Sequence, residues 1–207
     1  EGNEVYITFM LYDATPFSYD RIVGLLKKTK ILVLYLLGIV YTSEKIVDWF
    51  KLDDRIKIKF GLPYNFCFVN SDFIIATAWQ TAYSVRNINK RKGCKYYFLQ
   101  HNEQVFGPQS LVEKTWFFPL KKIAVASWIK NLVEKKTYQP VKLVKNFVNL
   151  NDFYITSSLD KRKKVISMLY HENAAKGSKD GIEVIKKVHE YFPDLKVELF
   201  GTVNIPE

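Results

Sequence analysis

Residues 72–108 read DFIIATAWQTAYSVRNINKRKGCKYYFLQHNEQVFGP, and the order of residue types along them decides the fold. DFIIATAW (72–79) is apolar and rich in isoleucine, the composition of a buried strand, and it runs into a helical pattern through about Arg91. KYYFLQ (95–100) is a second strand, ending in the polar loop QHNEQVFGP. A strand, a helix and a strand in succession read as a parallel βαβ unit.

The alternation continues on both sides. Toward the N-terminus, EVYITFML (4–11) reads as a strand and SYDRIVGLLKKT (18–29) as a helix, with Ser18 as N-cap and Ile22, Val23, Leu25 and Leu26 at helical spacing. SEKIVDWF (43–50) reads as a short helix and RIKIKF (55–60) as an alternating strand. Between them, ILVLYLLGIVY (31–41) is the longest apolar run; it has about half of the ~20 residues a membrane-crossing helix needs, so it reads as a buried strand or core segment. Toward the C-terminus, KIAVAS (122–127) is a strand whose Ser127 is placed to cap WIKNLVEK, and KLVKNF follows Pro140. After the polar stretch NLNDFYITSSLDKRK (149–163) come a strand over 163–170, a helix over 178–191 and the strand KVELFG. The expected class is therefore α/β, with the domain boundary in the polar stretch. Both ends look cut, since the chain opens close to one strand and stops just after another.

The 207 residues are 48% hydrophobic, enough for one large or two small cores. A net charge of +10 points to an anionic partner: nucleic acid, an acidic membrane surface or a phosphorylated small molecule. Cys67 and Cys94 lie far apart without metal-ligand spacing, which argues against a disulfide scaffold and a structural zinc and makes a reducing cytoplasm the default.

Ligands of open parallel sheets sit beyond the carboxyl ends of the strands. Three loops there hold candidates. After strand 163–170, His171, Glu172 and Asn173 lead to Lys176, Gly177 and Ser178 at the mouth of a helix, where unpaired N–H groups and a lysine suit a diphosphate. The plainer alternative is a glycine turn with Ser178 as helix cap. Gly201 and Thr202 end the last strand, the glycine allowing close backbone approach. Gln100, His101 and Glu103 gather an amide, an imidazole and a carboxylate after strand 95–100, a set for binding hydroxyls and for proton transfer. Trp79 and Gln80, read as the end of the neighbouring strand, are candidate sugar contacts, with a core role for Trp79 as the alternative.

Taken in order, DFIIATAWQTAYSV, KYYFLQHNEQVFGP, KIAVASWIKNLV, KNFVNLNDFY and MLYHENAAKGSKDGIEVIKKVHEYFPDLKVELFG resemble the retaining GT-B glycosyltransferases of the family-4 type, and among them the polysaccharide rhamnosyltransferase-like members. The resemblance implies two Rossmann-like domains, both incomplete. Residues 1–148 would be the N-terminal, acceptor-side domain without its first strand and helix, 149–163 an interdomain linker, and 164–207 the start of the donor-binding domain. It implies a hexosyltransferase that passes a sugar from a nucleotide-diphosphate donor to a saccharide or lipid-linked acceptor in surface polysaccharide biosynthesis. Such an enzyme would be cytoplasmic or peripheral on the inner membrane face, where the basic charge suits an anionic membrane surface. Lys176 matches the lysine that offsets the donor diphosphate, with Gly177, Ser178, Gly201 and Thr202 beside it, so neither metal nor cofactor is expected. Asn146 and Phe153 match the ends of the stretch leading into the second domain. His101 and Glu103 become the catalytic candidates, with Trp79, Gln80 and Gln100 facing acceptor or sugar.

The sequence departs from the family pattern in three places. Phe147 stands in place of glycine, His101 in place of Asp, and YHEN (170–173) in place of the commoner Gly-Arg. The downstream acidic donor motif is absent, so the piece is expected to be inactive alone. The rival class is a basic nucleic-acid-binding module using KKTK (27–30), KRKGCK (90–95) and DKRKK (160–164). No nucleic-acid-binding motif accompanies these clusters, and none is expected to bind nucleic acid.

Overall fold

The computed structural model describes residues 3–12, 14–16, 21–38 and 52–201. The chain divides into two compact units, Glu1–Phe147 and Val148–Glu207. Both are α/β with parallel sheets.

In the first unit, β1 (Val5–Met10) pairs in parallel with β2 (Ile56–Gly61), with Val5 opposite Ile56 and Met10 opposite Gly61. The helix α1 (Arg21–Leu36) lies on the crossover between them. Its Tyr35 hydroxyl donates to the Phe60 carbonyl at 3.4 Å, which ties the helix to β2. The first six residues of the run 31–41 are therefore not a strand: they continue the helix, and residues 39–41 lie outside the described ones. Apolar runs of this length fit either element, and here residues 31–36 continue the helix that begins at Arg21. The expected cap Ser18 and the expected helix over 43–50 lie outside the described residues.

A four-stranded parallel sheet follows in the order β3 (Phe73–Ala76), β4 (Cys94–Leu99), β5 (Lys121–Ala124), β6 (Val141–Leu143). Its crossovers are α2 (Trp79–Asn87), α3 (Gln109–Trp116) and α4 (Ser127–Thr137). Three successive steps in one direction with the usual right-handed crossover put all three helices on one face. The strand residues agree: Ile74, Ala76, Tyr97, Leu99 and Ala124 are buried, whereas the alternate positions Phe73 and Ile75 are exposed. Val112, Trp116, Ile129 and Val133 complete that core from α3 and α4. Tyr83 of α2 meets Phe118 edge-on at 4.8 Å, a favourable aromatic geometry.

Two strands end earlier than the sequence implies. β3 stops at Ala76, so Trp79 and Gln80 open α2 instead of ending a strand. β5 stops at Ala124, and the N-cap of α4 is Ala126, so Ser127 is its first helical residue and makes no cap. The helix α3 has no counterpart in the sequence reading.

The second unit is one βαβ turn. β7 (Val165–Leu169) and β8 (Lys196–Phe200) pair in parallel from Val165–Lys196 to Leu169–Phe200, with α5 (Ser178–Tyr191) as crossover. Cys67 and Cys94 are free thiols. No described helix is long and apolar enough to cross a membrane.

Candidate functional site

The carboxyl edge of β3, β4 and β5 collects most of the polar candidates of the first unit. Gln100 follows β4 and its Nε2 donates to the Thr77 carbonyl at 3.1 Å, which bridges the ends of β4 and β3. His101 is exposed beside it. Its Nδ1 lies 2.9 Å from the Asn102 carbonyl oxygen. A carbonyl only accepts, so Nδ1 is the donor in this contact. The imidazole meets the indole of Trp128 edge-on, centroids 6.2 Å apart at 86°.

Glu103 has a different position from its neighbour. It sits half-buried at the start of the 3-10 turn Glu103–Phe106, with Oε1 accepting the Trp79 N–H at 3.1 Å and Oε2 accepting the Tyr97 hydroxyl at 2.5 Å. The N-cap of α2 is Ala78, which offers no side-chain acceptor; Glu103 supplies one from another element, and Thr81 Oγ1 accepts the Thr77 and Ala78 N–H groups. Burial pushes the Glu103 carboxyl up; the hydrogen bonds from Tyr97 and Trp79 and the nearby His101 oppose that shift. Burial and the adjacent carboxylate raise the Tyr97 phenol strongly. Both carboxylate oxygens are thus engaged in holding α2 against β4.

Trp79 is 7% exposed, and its ring stands edge-on to Tyr83 at 6.3 Å. It is a core residue, which corrects its placement as a sugar contact. Gln80 follows it, half-buried in the first turn of α2. The exposed indole at this edge is Trp128, 52% accessible in the first turn of α4. The sequence reading passed over it. Its signal was a tryptophan directly after KIAVAS, at the ligand end of a strand.

In the second unit, β7 is followed by Tyr170, His171, Glu172 and Asn173, then the 3-10 turn Ala174–Lys176 and α5. Gly177 is the N-cap of α5 with φ of 68°, a left-handed conformation that glycine adopts without strain. Lys176 is exposed immediately before it. Ser178 is the first helical residue and 5% exposed; its Oγ accepts the His171 N–H at 2.9 Å and so closes the loop on itself. Ser178 is therefore neither the cap of α5 nor open to a ligand through its hydroxyl. Asp180 adds a carboxylate to the same first turn. Gly201 is required by packing: a Cβ there would stand 2.4 Å from the Tyr170 carbonyl oxygen. Thr202 lies outside the described residues.

The structure thus brings Gln100, His101, Glu103 and Trp79 to one edge of the first unit and Lys176, Gly177, Ser178 and Gly201 to one βαβ turn of the second. Among the described residues, no group of three or more His, Cys, Asp or Glu side chains is arranged to hold a metal ion. Compared with models of known protein families, with curated proteins and with solved structures, the chain matches none.

Proposed function

We propose that this chain serves glycosyl transfer, moving a sugar from a nucleotide-diphosphate donor to a saccharide or lipid-linked acceptor in surface polysaccharide assembly. The observation that carries the reading is the junction of β7 and α5. An exposed lysine and a left-handed glycine stand at the start of a 14-residue helix, at the carboxyl end of a parallel strand. A helix start offers unpaired N–H groups and partial positive charge, and Lys176 adds a full charge next to them. As the bond from sugar to diphosphate breaks, negative charge grows on the leaving group. Charge aimed there stabilises the transition state more than the bound donor. The chemistry needs neither metal nor cofactor from the protein, because Lys176 and the helix start take that charge.

His101 and Trp128 face the acceptor in this reading, the indole offering an apolar face to sugar C–H groups and the imidazole a polar edge to hydroxyls. Glu103 works behind them as the residue that positions α2. The nucleic-acid alternative fares less well in the KRKGCK cluster, where Lys92 and Lys95 donate to the Phe68 and Arg86 carbonyls at 2.9 and 2.8 Å. Thermal melting with nucleoside diphosphates and, separately, with short oligonucleotides tests the proposal. Nucleoside diphosphates are expected to raise the midpoint and oligonucleotides to leave it unchanged; the opposite pattern overturns the reading.

A further inference from the structure

Residues 63–68, directly after β2, read PYNFCF, and the fold uses their side chains in two ways. Phe68 packs against the core of the first unit. Cys67 also turns inward: its thiol donates to the Tyr35 hydroxyl at 3.7 Å, and a Cβ at Gly61 would stand 3.4 Å from the Cys67 Cβ. Tyr64 and Phe66 go the other way, 41 and 62% exposed, with their rings stacked at 5.8 Å and 15° between planes. The Tyr12 hydroxyl donates to that of Tyr64 at 2.9 Å, which holds the ring and leaves the Tyr64 O–H as a donor for a ligand hydroxyl. Two adjoining exposed rings held in this way mark a surface that something covers.

The neighbouring turn supplies charge. Asn65 Oδ1 accepts the Asn89 N–H at 2.5 Å, and the Phe68 carbonyl accepts Lys92 Nζ at 2.9 Å, so the aromatic turn is fastened to the 3-10 turn Lys90–Lys92. Asn89 caps that turn by accepting the Arg91 N–H at 2.9 Å. Lys90 and Arg91 are exposed on it. Lys90 also lines a cavity of about 570 Å³ together with Lys95 and Lys121. The bond from the Cys94 N–H to the Asp72 carbonyl brings one carboxylate to the same turns, which leaves the balance strongly positive. These turns lie past the last residue of α2, whereas Glu103 meets its first, so the nine residues of the helix stand between this surface and the His101 edge.

An aromatic surface beside a guanidinium and an ammonium group suits a ligand that carries apolar faces and negative charge on one repeating unit. A uronic-acid sugar has both: ring C–H groups to lie on Tyr64 and Phe66, and a carboxylate for Lys90 or Arg91. Nucleobases fit less well, because the slot between the two rings is closed by their own stacking. We infer that Tyr64, Phe66, Lys90 and Arg91 form a holding surface for an acidic saccharide chain, separate from the transfer site. The choice of a saccharide rests on the glycosyl-transfer reading. The two fail separately: silent amides at Asn65 and Arg91 with an acidic saccharide strike this surface alone, and silent amides at Gly177 with a nucleoside diphosphate strike the transfer reading.

The test is titration of the 15N-labelled 207-residue chain with a hexamer of galacturonic acid, with maltohexaose and with hexathymidylate. The acidic hexamer is expected to move the Asn65, Phe66 and Arg91 amides saturably, with affinity falling as the screening length shortens from about 30 Å at 0.01 M salt to about 8 Å at 0.15 M. Phe66→Ala, at an exposed side chain, lowers the affinity about three- to tenfold. Lys90→Gln with Arg91→Gln lowers it about tenfold, and maltohexaose binds the parent more weakly by about the same factor. Lys186→Gln with Lys187→Gln, exposed on α5 of the second unit, removes the same charge and leaves the affinity unchanged. The inference is overturned if the acidic hexamer does not move these amides, if Phe66→Ala and the Lys90→Gln, Arg91→Gln variant both bind it like the parent, if maltohexaose binds as tightly, or if hexathymidylate binds more tightly.

Discussion

Glu103 and Trp128 show how the role of a residue follows from one turn of chain. Glu103 accepts from a buried tyrosine hydroxyl and from the first N–H of α2. Glu103→Ala leaves both donors unpaired, at about 1–3 kcal/mol for each group, and should lower the unfolding free energy accordingly. Glu103→Gln keeps an acceptor and stays close to the parent. Because the fold raises this carboxyl above its ordinary value of 4.5, the group's contribution to stability is complete at pH below that value and declines as pH rises through the folded-state pKa. Denaturation at several pH values should show that part of the pH dependence missing in Glu103→Gln. Gly107 faces the same helix start: a Cβ there would stand 2.6 Å from Trp79 Cζ2. Gly107→Ala is therefore expected to cost about 1–3 kcal/mol by overpacking, read as a lower chemical denaturation midpoint. Sequence alone could not separate the two tryptophans, since both lie in the first turn of a helix after a strand. Trp79 is the first residue of α2 and Trp128 the second of α4. The rotation of about 100° per residue sends one ring into the core and the other to solvent.

Among elements, the strands β3, β4 and β5 and the helices α2 and α4 were legible because apolar strand runs and period-3.6 stretches alternate there with polar loops between them. What remained hidden had physical causes. The helix α3 is eight residues long and starts after Pro108 in a polar loop, so its buried positions Val112, Thr115 and Trp116 give too little periodicity to stand out. The run 31–41 is apolar on every side and so carries no phase that could tell strand from helix. Caps were misread for a related reason. Serine before a helical pattern favours the cap position, yet one residue of offset puts Ser127 and Ser178 inside their helices. The two serines should therefore respond differently to truncation. Ser127→Ala, at an exposed side chain, stays within about 0.5 kcal/mol of the parent. Ser178→Ala removes the acceptor of the His171 N–H and costs about 1 kcal/mol or more, measured by urea denaturation followed through the second unit's own amide signals.

At the scale of the molecule, both units follow one plan: parallel strands joined by helices, with polar loops at the carboxyl ends. That much follows from composition and spacing alone. Function does not, because the same plan serves many chemistries and only the loop residues distinguish them. Gln100, His101, Lys176 and Gly177 were visible from the sequence as polar interruptions of apolar patterns; the engagement of Glu103 and Ser178 within the fold was not, because it depends on partners 24 and 7 residues away. The central claim rests on Lys176 and the start of α5, and it is tested most directly by titrating the 15N-labelled chain with a nucleoside diphosphate while following backbone amide shifts. The expected result is saturable movement of the Gly177, Ser178 and Lys179 amides, with affinity reduced about ten- to a hundredfold by Lys176→Met, the worth of a charge-assisted contact of about 1.5–3 kcal/mol, and unchanged by Lys179→Met. If these amides do not move, or if Lys176→Met binds like the parent, the loop is only a helix cap and the proposal of glycosyl transfer at this site is wrong.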